Sequence, residues 1–220
     1  MGREKTRTPR LAEFYERYLD HQDSAAFIRQ VNELYSAGTL ERLAGHGVRE
    51  VRRAAVLALG FIADYTANHT LGRALLDDDR TVRMLAENGI RTVWNRAGND
   101  DERRELGVII RLNASQHYQE ASRRAEALAE RAPWFAEAWN QRAVAQFHLR
   151  HFSEAIRDCH QALEINPYHF PAAAMMGQAY LELGNHVSAL EALRRALRLN
   201  PDLEGVRAHV VRLARLVEGK

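Results

Sequence analysis

Pro167 and Pro201 lie thirty-four residues apart, and the same step carries Leu149 to Leu183, Ala155 to Ala189, Ala162 to Ala196 and Asn166 to Asn200. The step also reaches backwards, because Glu154-Ala155 recurs as Glu120-Ala121, His151-Phe152 as His117-Tyr118, and Pro167 as Pro133. A unit of this length holds two helices and a turn. That is too little to bury an apolar face alone, so successive units must stack. Each proline lacks the amide that would continue the preceding helix, and so ends one hairpin and opens the next. Small residues at 155, 162, 189 and 196 let helices approach closely, while Trp139, Phe147, Phe152, Tyr180 and Leu183 are expected to fill the space between layers. With 13 glycines and 5 prolines among 220 residues, the turn-rich composition of a sheet protein is lacking, and the chain reads as helical.

A second period, of 31 residues, precedes the first. It relates Leu40 to Leu71, Arg42 to Arg73, Arg49 to Arg80, Val51 to Val82, Arg52 to Arg83, Ala55 to Ala86 and Ile62 to Val93. An acidic turn at Asp77-Asp78-Asp79, a Val-Arg pair and an alanine-rich helix follow one another in this segment. The pattern resembles the HEAT-like repeat, in the short form of the phycobilisome lyases, over residues 39–96. Residues 10–36, with apolar residues Leu11, Phe14, Tyr15, Tyr18 and Leu19, then Phe27, Ile28, Val31, Leu34 and Tyr35 at helical spacing, form a degenerate leading unit.

The 34-residue units resemble the tetratricopeptide repeat. With Ala136 as first position, Trp139, Ala143, Ala155, Ala162 and Pro167 fall on signature positions, as do Gly177, Tyr180, Ala189, Ala196 and Pro201 in the next unit. The unit at 102–135 departs from the pattern, with Leu128 in place of the second-helix alanine and Glu105 where an aromatic is usual. Together the two resemblances imply an all-α, right-handed α-α superhelix: HEAT-like repeats over residues 10–98, stacked on tetratricopeptide repeats over 99–201 (102–135, 136–169 and 170–201). Residues 1–9 read as a flexible tail. Residues 202–220 read as a capping helix whose stripe is Val206, Val210, Leu213 and Leu216, with Arg207, Arg212 and Arg215 left for solvent. The polar break at Asn99-Asp100-Asp101 marks the domain boundary.

Charge is abundant but balanced, with 31 basic and 29 acidic side chains, 15 and 14 of them in residues 1–100. That balance argues against a nucleic-acid binder. Lys5 and Lys220 are the only lysines, and this arginine skew with the alanine richness points to a GC-rich bacterial genome. A single cysteine, Cys159, forms no intramolecular disulfide and suits a reducing compartment. With a charged start and no apolar run of spanning length, the expectation is a cytoplasmic protein without a membrane partner.

No chemistry declares itself. His148 and His151 share a helical spacing without a third ligand, so neither metal nor cofactor is expected and the ten histidines read as surface and turn residues. Cys159 reads as core. The Asp77–Asp79 run caps the following helix better than it would hold a cation, and Arg52 and Arg83 fit an ion-pair ladder between repeats better than an anion site. No phosphate loop or nucleophile elbow is present, and no catalytic residue is assigned. The HEAT-like resemblance leaves one alternative, an enzyme or enzyme subunit of the lyase kind acting on a chromophore or a nucleic acid, on fold analogy alone.

The tetratricopeptide resemblance implies that the first helix of each hairpin lines a concave groove. That places Leu106, Ile110 and Asn113, then Glu137, Asn140, Gln141, Val144 and His148, then Ala174, Met175, Gln178 and Glu182 toward a partner. Amides can hydrogen-bond an extended peptide backbone and aliphatic side chains can hold its side chains. The expected function is therefore a non-catalytic adaptor or scaffold for an extended or helical segment of another protein. Chaperone-binding members of the family clamp a C-terminal carboxylate with lysine, asparagine and arginine. Here Leu106, Ile110, Pro171 and Met175 occupy clamp positions, so that ligand is not expected. The oligomeric state stays open, since Phe14, Tyr15 and Tyr18 could cap the array or meet a second chain.

Overall fold

The computed structural model describes residues 9–219, except the side chain of Glu218; the tail expected at residues 1–9 lies, apart from Pro9, outside them. The described residues fold into thirteen α-helices: α1 Arg10–His21, α2 Ser24–Leu34, α3 Ala37–Leu43, α4 Arg49–Ile62, α5 Asn68–Ala74, α6 Arg80–Arg96, α7 Asp100–Ala114, α8 Tyr118–Arg131, α9 Ala136–His148, α10 Phe152–Ile165, α11 Phe170–Glu182, α12 His186–Leu199 and α13 Glu204–Glu218. They form two compact units, Met1–Val93 and Trp94–Lys220.

In the first unit the 31-residue step is visible in the helices themselves, since α3 and α4 begin at 37 and 49 and α5 and α6 at 68 and 80. Arg52 donates to the carbonyls of His46 and Gly47, and Arg83 makes the same pair of bonds to Asp77 and Asp78. Arg52 also takes both carboxylate oxygens of Asp77 at 2.8 Å, which forms one rung between the two copies. Arg53 grips Asp79 at 2.6 and 2.9 Å, and the same carboxylate caps α6 by accepting from the Val82 amide. Helices α4 and α6 cross at Gly60 and Gly89, where a Cβ on either would sit 2.9–3.0 Å from the other's Cα. Only paired glycines allow that approach. Phe14 and Tyr15 are buried inside this unit, and Tyr18, Phe27 and Phe61 form an aromatic cluster with centroids 5.4–6.2 Å apart. Leu19 and Leu34, expected on the apolar stripes, are half exposed at the ends of α1 and α2.

In the second unit α8, α10 and α12 begin at 118, 152 and 186, and α9 and α11 at 136 and 170. The turns repeat as well. The amides of His117, His151 and Asn185 bond to the carbonyls of Leu112, Gln146 and Tyr180, closing three helices with the same left-handed residue, Gln116, Arg150 or Gly184. The buried side chains of Asn166 and Asn200 accept from the amides of Tyr168 and Asp202, fixing the turn at each Asn-Pro pair. Trp139 packs against the core between α7, α8 and α9 and also against the core of α9–α12, which joins the layers. Gly177 lies where a Cβ would meet Leu193 at 2.6 Å, so α11 and α12 touch through it.

Two stripe residues depart from expectation. Leu183 is half exposed, and Leu216 on α13 is 65% exposed. At 100° per residue Leu216 points about 80° away from Val206, so it leaves the face that Val206, Val210 and Leu213 turn to α12.

Candidate partner-binding groove

Within the second unit α9 contacts both α7 and α11, whereas the second helices α8, α10 and α12 make no comparable contact with one another among the described residues. A layer of closely spaced first helices backed by wider-spaced second helices curves toward the first-helix side. That side is the groove.

Its floor is a polar network. Glu137, in the first turn of α9, accepts from Asn140 Nδ2 at 3.1 Å, Gln141 Nε2 at 2.8 Å and His169 Nε2 at 2.9 Å. Asn113 on α7 donates to the Gln141 carbonyl and to its side-chain oxygen at 3.0 and 2.9 Å. His169 precedes α11, and its Nδ1 accepts from the Ala172 amide, so Nε2 carries the proton given to Glu137. The Trp94 ring stacks on the imidazole at 4.5 Å. Burial pushes the Glu137 carboxyl up, but the bonds from His169, Gln141 and Asn140 outweigh it and hold the group below the usual carboxylate range.

The structure therefore divides the expected groove residues. Leu106 is 1% exposed and belongs to the core with Ile109, so it presents no surface. Asn113, Glu137 and Asn140 are buried in the floor, because each bonds across or along the first helices instead of reaching outward. Ile110, Gln141, Val144, Ala174, Met175 and Gln178 are partly exposed, and His148 and Glu182 are exposed. The His148 ring is stacked on Tyr118 at 4.3 Å. Two acceptors in the floor, Asn113 Oδ1 and Asn140 Oδ1, receive no hydrogen bond from the protein.

His169 is the residue that sequence reading missed: it is fully buried, against the expectation of surface and turn histidines. Pro171 was the available signal, since proline in a first helical turn places residue 169 at the cap. Cys159 is buried as expected. Among the described residues no cluster of three or more His, Cys, Asp or Glu side chains is arranged to hold a metal ion, and no helix is long and apolar enough to cross a membrane.

Residues 136–169 and 171–203 each match the family profile of the tetratricopeptide repeat. Residues 136–169 and 171–203 are thus two tetratricopeptide repeats within an all-helical solenoid. Over 87 residues the chain is 31% identical to a TPR repeat-containing protein of Rhizobium etli, a stretch that is 40% of this chain and 43% of that protein. Over 67 residues it is 34% identical to sperm-associated antigen 1 of Rattus norvegicus, covering 30% of this chain and 8% of that protein. The chain thus spans less than half the length of these relatives. Among solved structures, the first TPR of Spaghetti (RPAP3), bound to the HSP90 peptide SRMEEVD, superposes with a TM-score of 0.51 at 20% identity, covering 53% of this chain and 93% of that one. At that identity the likeness speaks for the fold.

Proposed function

We propose that the protein is a non-catalytic adaptor that holds an extended or helical segment of a partner protein along the first-helix face of its second unit. The observation that carries this reading is the partly exposed row along the first helices, in which Gln141 is bonded to the buried floor residues Asn113 and Glu137. The Gln141 side-chain amide keeps an N–H and a lone pair that can meet the backbone of an extended peptide. Around it the partly exposed Ile110, Val144 and Met175 offer apolar contact, and Gln178 a further amide. The RPAP3 domain, which shares the fold, was solved with a peptide bound. The ligand proposed here differs in chemistry, since clamp positions hold Leu106, Ile110, Pro171 and Met175 and supply no cation.

For the first unit the proposal is a HEAT-like array that serves as a scaffold, with the boundary to the repeats at residues 99–101. The repeated helix starts, the matching bonds of Arg52 and Arg83, and the Arg52–Asp77 rung support it. A protein of this kind would work in a reducing, cytoplasmic setting.

The test is selection of phage-displayed peptides on the full chain, followed by calorimetry. Val144→Asp with Met175→Asp should weaken the selected peptides at least tenfold, and Arg157→Asp on α10 should leave them unchanged. Peptides that bind the double variant as well as the parent would place the site elsewhere.

A further inference from the structure

The 34-residue step lays one inter-helix gap of the second unit over the next, and the two differ in content. In the first gap Arg142 leaves α9 and pairs with Asp158 on α10 at 2.6 and 2.8 Å, with Glu126 of α8 at 3.5 Å on its other side. The guanidinium also lies 4.8 Å from the centre of the Trp139 ring. That gap is filled. One period later the same three positions are Met176, Ala192 and His160. The long cation has become a shorter thioether, both carboxylates are gone, and a cavity of about 520 Å³ opens between α10, α11 and α12.

Its charge is inverted as well. The cavity lining includes three guanidiniums, Arg194, Arg195 and Arg198, and one carboxylate, Glu191. The positions 34 residues earlier hold four carboxylates, Glu126, Glu154, Asp158 and Glu164, and two guanidiniums, Arg142 and Arg157. Among the described residues neither Arg195 nor Arg198 forms an ion pair. Met176 and the Tyr180 ring supply apolar surface beneath this basic rim, and the hydroxyls of Tyr180 and Ser188 add donors.

We propose that this cavity, on a different surface from the peptide groove, binds an organic anion: a phosphate monoester or carboxylate carried on a short apolar stem. The head group would lie against Arg195 and Arg198, where guanidinium forks suit planar or tetrahedral oxyanions. The stem would cover Met176 and Tyr180. A volume of 520 Å³ is ample for such a ligand.

The experiment is a titration of the full chain at fixed ionic strength, followed through the Met176 methyl and the arginine Nε–H signals. Phenyl phosphate and phenylacetate form separate arms, which tell the two head groups apart, and inorganic phosphate is the third. At least one aromatic anion should produce saturable shifts at Met176, Arg195 and Arg198, with affinity at least tenfold above inorganic phosphate. Met176→Arg with Ala192→Asp rebuilds the pair of the preceding gap and should remove binding more than tenfold. The exposed Arg198→Ala, which disturbs no core contact, should weaken it at least threefold. Shifts from neither aromatic anion, equal binding of inorganic phosphate, or affinity unchanged in Arg198→Ala would overturn the proposal.

Discussion

His169 Nε2 lies 2.9 Å from Glu137 Oε2, so the cap of one first helix is tied to the opening turn of the preceding one, thirty-two residues away. The bond fixes α9 and α11 side by side through two groups that are both buried, 0% and 9% exposed. Because Glu137 also accepts from Asn140 and Gln141, removing it leaves three donors unpaired. Glu137→Ala should destabilise the second unit by about 3 kcal/mol in denaturant unfolding.

The same carboxyl has a pH signature. Its folded value lies below its unfolded one, so its stabilisation is complete above the unfolded pKa of about 4.3 and is lost as pH falls through the folded value. Thermal melts between pH 6 and 3 should show a shallower acid decline in Glu137→Gln than in the parent.

The first unit carries a parallel case in Asp79. The bidentate Arg53 guanidinium, against opposing burial, and the Val82 amide hold its carboxyl at about 2. Its contribution is present above about pH 4 and is lost as pH falls toward 2. Arg53→Met should cost the first unit ~2 kcal/mol at pH 7, and the loss should shrink in acid.

Gly60 and Gly38 make a matched pair. Gly60→Ala drives a Cβ to 2.9 Å from the Gly89 backbone, whereas a Cβ on Gly38 meets nothing within 4 Å. The first substitution should destabilise by about 2–3 kcal/mol, and the second should be neutral or stabilising by about 0.5 kcal/mol, as read by thermal melts.

Burial pushes the Cys159 thiol well above its ordinary value. Labelling by a disulfide reagent at pH 8 should therefore follow the rate of unfolding of the second unit. A rapid native-state reaction would show that the α10 core opens.

The period made the second unit legible in the sequence, because prolines, small residues and aromatics recur wherever a hairpin turns or two helices cross. Helix starts at 118, 152 and 186 reproduce the step that Ala121, Ala155 and Ala189 display. The groove was legible only in part. Repeat position tells which helix face a residue occupies, but it does not tell whether a polar side chain reaches outward or sideways. Glu137, Asn140 and Asn113 turn sideways to bond one another and His169, and so become floor. Leu106 looked like a wall and is core, since Ile109 and Leu128 share its cluster. His169 carries no apolar periodicity, and only its place before Phe170-Pro171 marked it. The Met176 cavity was hidden for another reason: it arises from what replaces Arg142 and Asp158, a difference between repeats where the eye follows the likeness.

Site-specific photo-crosslinking tests the central claim most directly. A crosslinking amino acid is placed at Gln178 in the groove or at Arg157 on α10, in the full chain within its native host. The account predicts a partner-protein adduct from position 178, with the crosslinked partner residues mapping to one short segment, and none from position 157. Adducts from 157 with none from 178 would contradict it.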